Sequence, residues 1–160
     1  MSTYTDMLIS CRKYLPLRNP APEIFHGREG YTEQVVGMLM NEPAARLAIL
    51  GPGGIGKTSI ALTILHVNRI NTKFGDHSRF VSCEGLTCAS LVDTLCIAFG
   101  LQNLSGDRLH GLLAHLMDTI QLKFRILDNF ETLWGQDPNE CQALLKAFGQ
   151  VPLLSLVVTM

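Results

Sequence analysis

Residues 51–58 read Gly51-Pro52-Gly53-Gly54-Ile55-Gly56-Lys57-Thr58, which fits G-x-x-x-x-G-K-[ST], the phosphate-binding P-loop. Each part has a physical reason. Glycines let the backbone turn tightly and aim successive N–H groups inward, because no Cβ blocks positive φ or close approach. Those N–H groups and the N-terminus of the next helix hold a β-phosphate. Lys57 brings an ammonium to the β- and γ-phosphates, and the Thr58 hydroxyl is placed for Mg2+. A chance glycine-rich turn would match the fixed positions in roughly one chain in a few hundred. The flanks narrow this further. Arg46–Leu50 is a short apolar run that reads as a buried strand, and Lys57–Val67 carries Ile60, Ala61, Ile64 and Leu65 on one helical face.

Working outward, Glu29–Met40 has helical spacing at Val35, Val36, Leu39 and Met40 and stops at Asn41-Glu42-Pro43. Downstream, Arg79–Cys83 reads as a strand, and Ala89–Phe99 as a helix. A further helix, capped by Asp107, carries a stripe from Leu109 to Ile120. Phe124–Asp128 then reads as a strand, Asn139–Phe148 as a helix and Leu154–Thr159 as a last strand. Strands alternating with helices predict an α/β fold with a mainly parallel sheet in a three-layer arrangement. Residues 1–24 read as a leader, with a short helix over Asp6–Leu15 and then an extended segment imposed by Pro16, Pro20 and Pro22. Residues 25–160 read as one P-loop NTPase core. The sequence stops just after a strand, so the core is expected to be incomplete at its C-terminus.

A P-loop site needs a second acid at a strand end to hold the Mg2+ shell, and Phe124-Arg125-Ile126-Leu127-Asp128 supplies it. Thr58 and Asp128 are thus the candidate metal ligands, and Lys57 and Asp128 the candidate catalytic pair. Where many P-loop ATPases place an acid to polarise water, this chain has Asn129, an amide that cannot take a proton. Slow hydrolysis follows, which suits a nucleotide-holding switch. Arg125 is expected near its strand start with its head in water, Trp134 to pack, and Cys83 and Cys88 to serve as small buried apolar residues.

The 160 residues are 47% hydrophobic and 17% charged, enough for one ordinary domain with a real core. A net charge of -1 argues against the broad basic field of non-specific nucleic-acid binding, so no nucleic-acid partner is expected. No apolar run approaches the roughly 20 residues of a membrane-spanning helix, so no membrane partner is expected either. Five Cys without a CxxC pair suit reduced thiols and a cytoplasmic location.

With Phe25-His26-Gly27-Arg28-Glu29 upstream and Ile126-Leu127-Asp128-Asn129-Phe130-Glu131-Thr132 downstream of the P-loop, the chain resembles the NB-ARC/STAND ATPases, most of all the fungal NLR-like receptors. The resemblance runs from about Pro22 to the last residue. It implies ATP/ADP and Mg2+ as ligands, with Gly51 through Ser59 (Pro52, Gly53, Gly54, Ile55, Gly56, Lys57 and Thr58 between them) cradling the phosphates. It also implies that Phe25, His26, Gly27 and Arg28 pack on the adenine and ribose, although locally these four read as a plain turn before a helix. Thr159 would lead into a Thr-x-Arg sensor whose Arg lies beyond Met160. The implied sheet order is 5-1-4-3-2 with strand five missing, which leaves Arg46–Leu50 at an edge. The implied function is the nucleotide switch of a signalling ATPase, in innate immunity or programmed cell death, that self-associates through the full-length protein. The alternatives are a turnover AAA-like ATPase and a degenerate fragment that binds nothing.

Overall fold

Strand residues of alternating direction divide the helices into two sets. The computed structural model describes residues 19–23 and 25–160, so the leader helix expected over Asp6–Leu15 lies outside the described residues. The elements run α1 (Glu29–Asn41), β1 (Arg46–Ile49), α2 (Lys57–His66), α3 (Asn68–Phe74), β2 (Ser78–Ser82), α4 (Cys88–Ala98), α5 (Arg108–Asp118), β3 (Lys123–Asp128), α6 (Glu131–Trp134), α7 (Pro138–Gly149) and β4 (Leu154–Thr159). The four strands form one parallel sheet in the order β1-β4-β3-β2, the expected order for these strands. Parallel pairing requires crossovers, and the crossover helices cover both faces. Every residue of β3 and β4 is buried, as expected for interior strands between two helical layers.

On one face, Phe124, Ile126 and Val157 meet Val36 and Leu39 of α1, Ile60 and Ile64 of α2, and Ile70 and Phe74 of α3. On the other, Leu127, Leu154, Leu156 and Val158 meet Leu91 and Leu95 of α4, Leu112 and Leu116 of α5, and Leu144 and Phe148 of α7. The helix starts are fixed locally. The Asp107 carboxylate accepts from His110 N, as the sequence predicts. Thr87 and Ser90 form a reciprocal capping box on α4. Asp137 accepts from Asn139 N and Glu140 N ahead of α7, with Pro138 in its first turn.

Four expectations are corrected. The helix read as Lys57–Val67 is followed by a second, α3, because Val67 turns out to ψ 130 and the chain restarts. Ile120 lies beyond the end of α5 and is 90% exposed. Trp134 is 37% exposed on the short α6 rather than packed. Arg125 has no route to water, since β3 is an interior strand covered on both sides. Its guanidinium donates to the carbonyls of His77 and Phe124 and lies over the Phe99 ring, 4.6 Å from the centroid. Burial pushes its pKa down to about 9, with Arg79 adding to the effect.

Candidate functional site

The glycine loop leaves β1 and delivers the chain into α2. Gly54 and Gly56 sit at φ 78 and φ 86, the left-handed region where a Cβ is costly. A Cβ on Gly51 would stand 2.1 Å from Ile55 Cδ1, so the loop closes on itself at that residue. Gly53 and Gly54 face open space, with nothing within 4 Å of an added Cβ. Pro52 is exposed, and Ser59 lies half-buried in the first turn of α2. The helix has no side-chain cap at Gly56, and its first bond is Ile60 N to Gly56 O at 3.0 Å. The N–H groups of the first turn therefore point at the loop without a capping oxygen.

Lys57 is 6% exposed, and its ammonium donates to the carbonyls of Gly51 at 2.7 Å and Pro52 at 3.1 Å. Asp128, at the end of β3, is 2% exposed. Thr58 Oγ1 lies 3.1 Å and 2.9 Å from its two carboxylate oxygens, which share the one hydroxyl hydrogen. From β4, Thr159 Oγ1 donates to Asp128 Oδ1 at 2.7 Å and accepts from Asn129 N at 2.9 Å. Asn129 is in the left-handed conformation, φ 56, which asparagine tolerates better than most residues. From β2's end, Cys83 N donates to Asp128 O at 2.8 Å. Among the described residues the ion pairs are Arg69–Glu33 and Arg108–Asp93; neither Lys57 nor Asp128 is in one.

Sequence reasoning brought Thr58 and Asp128 together, and the structure does so directly. It missed the hold of Thr159 on Asp128 and on the turn at Asn129. The only signal was a hydroxyl residue at the end of an apolar run. Glu131 starts α6 and is exposed.

Of the upstream segment, Phe25 is half-buried against the core beneath α1 and α2, while His26 and Gly27 are exposed. Arg28 lies over the glycine loop: a Cβ on Gly56 would stand 3.5 Å from its guanidinium. Gly27 and Arg28 line a cleft of about 670 Å3, with Tyr31, Val35 and Met38 on one wall and Leu47–Leu50 and Ile55 on the other. The volume is that of a small-molecule pocket.

The residues fit a nucleotide and its metal. A buried ammonium, an uncapped helix start and an open glycine loop suit a polyphosphate. One carboxylate and one hydroxyl are hard oxygen donors, the kind Mg2+ takes alongside phosphate oxygens and water. Thr58 and Asp128 would hold the ion, Lys57 and residues 51–59 the phosphates, and the ion when bound would neutralise phosphate charge.

No protein-family model matches this chain, nor does any curated protein. Among solved structures, it is similar to the Aeropyrum pernix ORC1 protein in complex with DNA, at 21% identity and a TM-score of 0.68, over 90% of this chain and 41% of that one. It is similar to Cdc6p from Pyrobaculum aerophilum at 18% identity and TM-score 0.66, over 89% and 41%. A Walker-type ATPase of Pyrococcus abyssi matches at 18% identity and TM-score 0.53, over 90% and 48%. The chain thus spans less than half the length of these neighbours. The expectation of no nucleic-acid partner is corrected here, because a protein of the same fold has been solved on DNA. A net charge of -1 is a sum over the whole chain and carries no information on local surfaces or on the rest of a longer protein. Among the described residues no helix is long and apolar enough to cross a membrane. The chain has the fold of the P-loop NTPases, as its glycine loop foretold.

Proposed function

We propose that this chain is the ATP/ADP-binding core of a STAND-type signalling switch, with Mg2+ held between Thr58 and Asp128. The observation that carries the reading is the pair of unneutralised charges at one end of the sheet. Among the described residues the Lys57 ammonium bonds loop carbonyls and the Asp128 carboxylate bonds the hydroxyls of Thr58 and Thr159, with no ion pair to either, so a metal–polyphosphate complex would satisfy both. The sequence likeness at Phe25–Glu29 and Ile126–Thr132 supports the switch class, and so does Asn129, which offers no base for water. Arg28 over the loop and the adjoining cleft support a nucleoside site there. Isothermal calorimetry with ATP and ADP in Mg2+ tests the reading. Lys57→Ala is expected to abolish binding of both, and an unchanged affinity would end it.

A second reading, a turnover ATPase of the AAA kind, is favoured by the fold likeness to ORC1 and Cdc6p. Steady hydrolysis above about one per second, within the ordinary enzyme range, would favour it over the switch. Stimulation of that hydrolysis by duplex DNA would favour it further.

A further inference from the structure

Two thiols outside the nucleotide site face each other across helices that are distant in sequence. Cys88 is the first residue of α4, Cys141 lies in α7, and their sulfurs are 3.3 Å apart. Both side chains are buried. The other described cysteines are placed differently: Cys96 Sγ donates to Arg108 O, and Cys83 has no sulfur partner among the described residues. A cleft of about 310 Å3 reaches Cys88, and its wall includes the exposed Asp107 and Glu140 together with Val92, Arg108 and Leu144. Cys88 lines this cleft and Cys141 does not, and Cys88 is 6% exposed against 0% for Cys141, so Cys88 is the nearer of the two to a small neutral oxidant.

We propose that Cys88 and Cys141 form a dithiol that peroxide converts to a disulfide fastening α4 to α7. The Cys88 thiolate attacks one oxygen of hydrogen peroxide. The O–O bond breaks, the departing hydroxide takes a proton to become water, and Cys88 is left as a sulfenic acid. The Cys141 sulfur, losing its proton, then attacks the Cys88 sulfur. The S–O bond breaks and a second water leaves. Two thiols lose two electrons, and one peroxide gains them. Cys88 is the first to react because the cleft reaches it, and Cys141 resolves because it is adjacent. Burial and the neighbouring Cys141 sulfur hold the Cys88 thiol protonated, with its pKa up to about 12, so the reaction accelerates with pH. The fastening lies at one end of the β2–α4 loop, whose other end, Cys83, bonds the Asp128 carbonyl.

The test treats the 160-residue chain with hydrogen peroxide, blocks remaining thiols with N-ethylmaleimide after denaturation, and maps peptides without reduction. The expected result is a monomer that lacks two hydrogens and carries three maleimide adducts, on Cys11, Cys83 and Cys96, with the Cys88 and Cys141 peptides joined and the joint reversed by dithiothreitol. Its rate should rise roughly tenfold per pH unit below the thiol pKa. Cys88→Ser and Cys141→Ser should each abolish the joined species. Mapping of the unaltered chain needs no variant, so a variant that fails to fold leaves the outcome readable. A joint between any other pair, only intermolecular joints, only sulfinic acid, or no loss of thiols overturns the proposal.

Discussion

Asp128 is held from three directions at once: by Thr58 in α2, by Thr159 at the end of β4 and, through its carbonyl, by Cys83 N just after β2. Thr159→Val removes a hydroxyl that both donates to the carboxylate and accepts from Asn129 N. It should cost about 1–3 kcal/mol per buried group left unpaired, read by urea unfolding, with Thr159→Ser recovering most of the loss. Cys83 makes a separate prediction. Burial, with Asp128, Cys141 and Glu131 nearby, raises its thiol from 9.0 to about 12. Between those values the unfolded chain releases a proton that the folded chain keeps, so this group's contribution is intact below pH 9 and falls as pH rises towards 12. Wild-type protein should therefore lose about 1 kcal/mol more than Cys83→Ala between pH 8 and pH 10, read by urea melts at both pH values. The P-loop was legible because its chemistry lies in eight consecutive residues. The Thr159 contact was not, because its partner stands 31 residues away and only the sheet brings them together. Arg125 misled for the same reason: a charged residue reads as solvated until both covering layers are known.

The long elements were readable from their apolar spacing, since α4, α5 and α7 each bury one stripe against the sheet. The two helices that were missed are short. α6 has four residues, too few for a period to show. α3 has seven, and a single backbone turn at Val67 separates it from α2, a break that the apolar run through Ile64, Leu65 and Val67 conceals. Its Phe74 nonetheless anchors the layer, with its ring 5.3 Å from that of Phe124 on β3. Phe124→Ala should destabilise the fold by about 3–5 kcal/mol, seen as a lower urea midpoint with an unchanged slope. At the start of α7, Asp137→Ala removes the acceptor for two helix N–H groups and should cost about 1 kcal/mol.

Across the whole molecule, stability should be graded by position in the sheet. β3 and β4 are wholly buried, whereas among the described residues β1 pairs on one side only, with β4. Ala45 O and Ile49 O accept from β4's side, and Gly51 N donates to Met160 O, so the intervening Arg46, Ala48 and Leu50 turn their backbone groups to the open edge. Hydrogen exchange should find the N–H of Ala48 exchanging far faster than those of Ile126 and Val157, and equal protection would contradict this sheet order. The order was legible only through family likeness, because β1 and β2 follow one another along the chain yet stand at opposite edges. That arrangement has a consequence for synthesis. Among the described residues the strand bearing the glycine loop, residues 46–49, has no strand partner until residues 156–159 are made, since those are its register partners. On the ribosome, the helices on both flanks and strands two and three can begin to collapse while the loop strand still waits. The glycine loop's mounting therefore waits for β4, and a nascent chain halted before Leu154 carries residues 51–58 with no partner strand for β1.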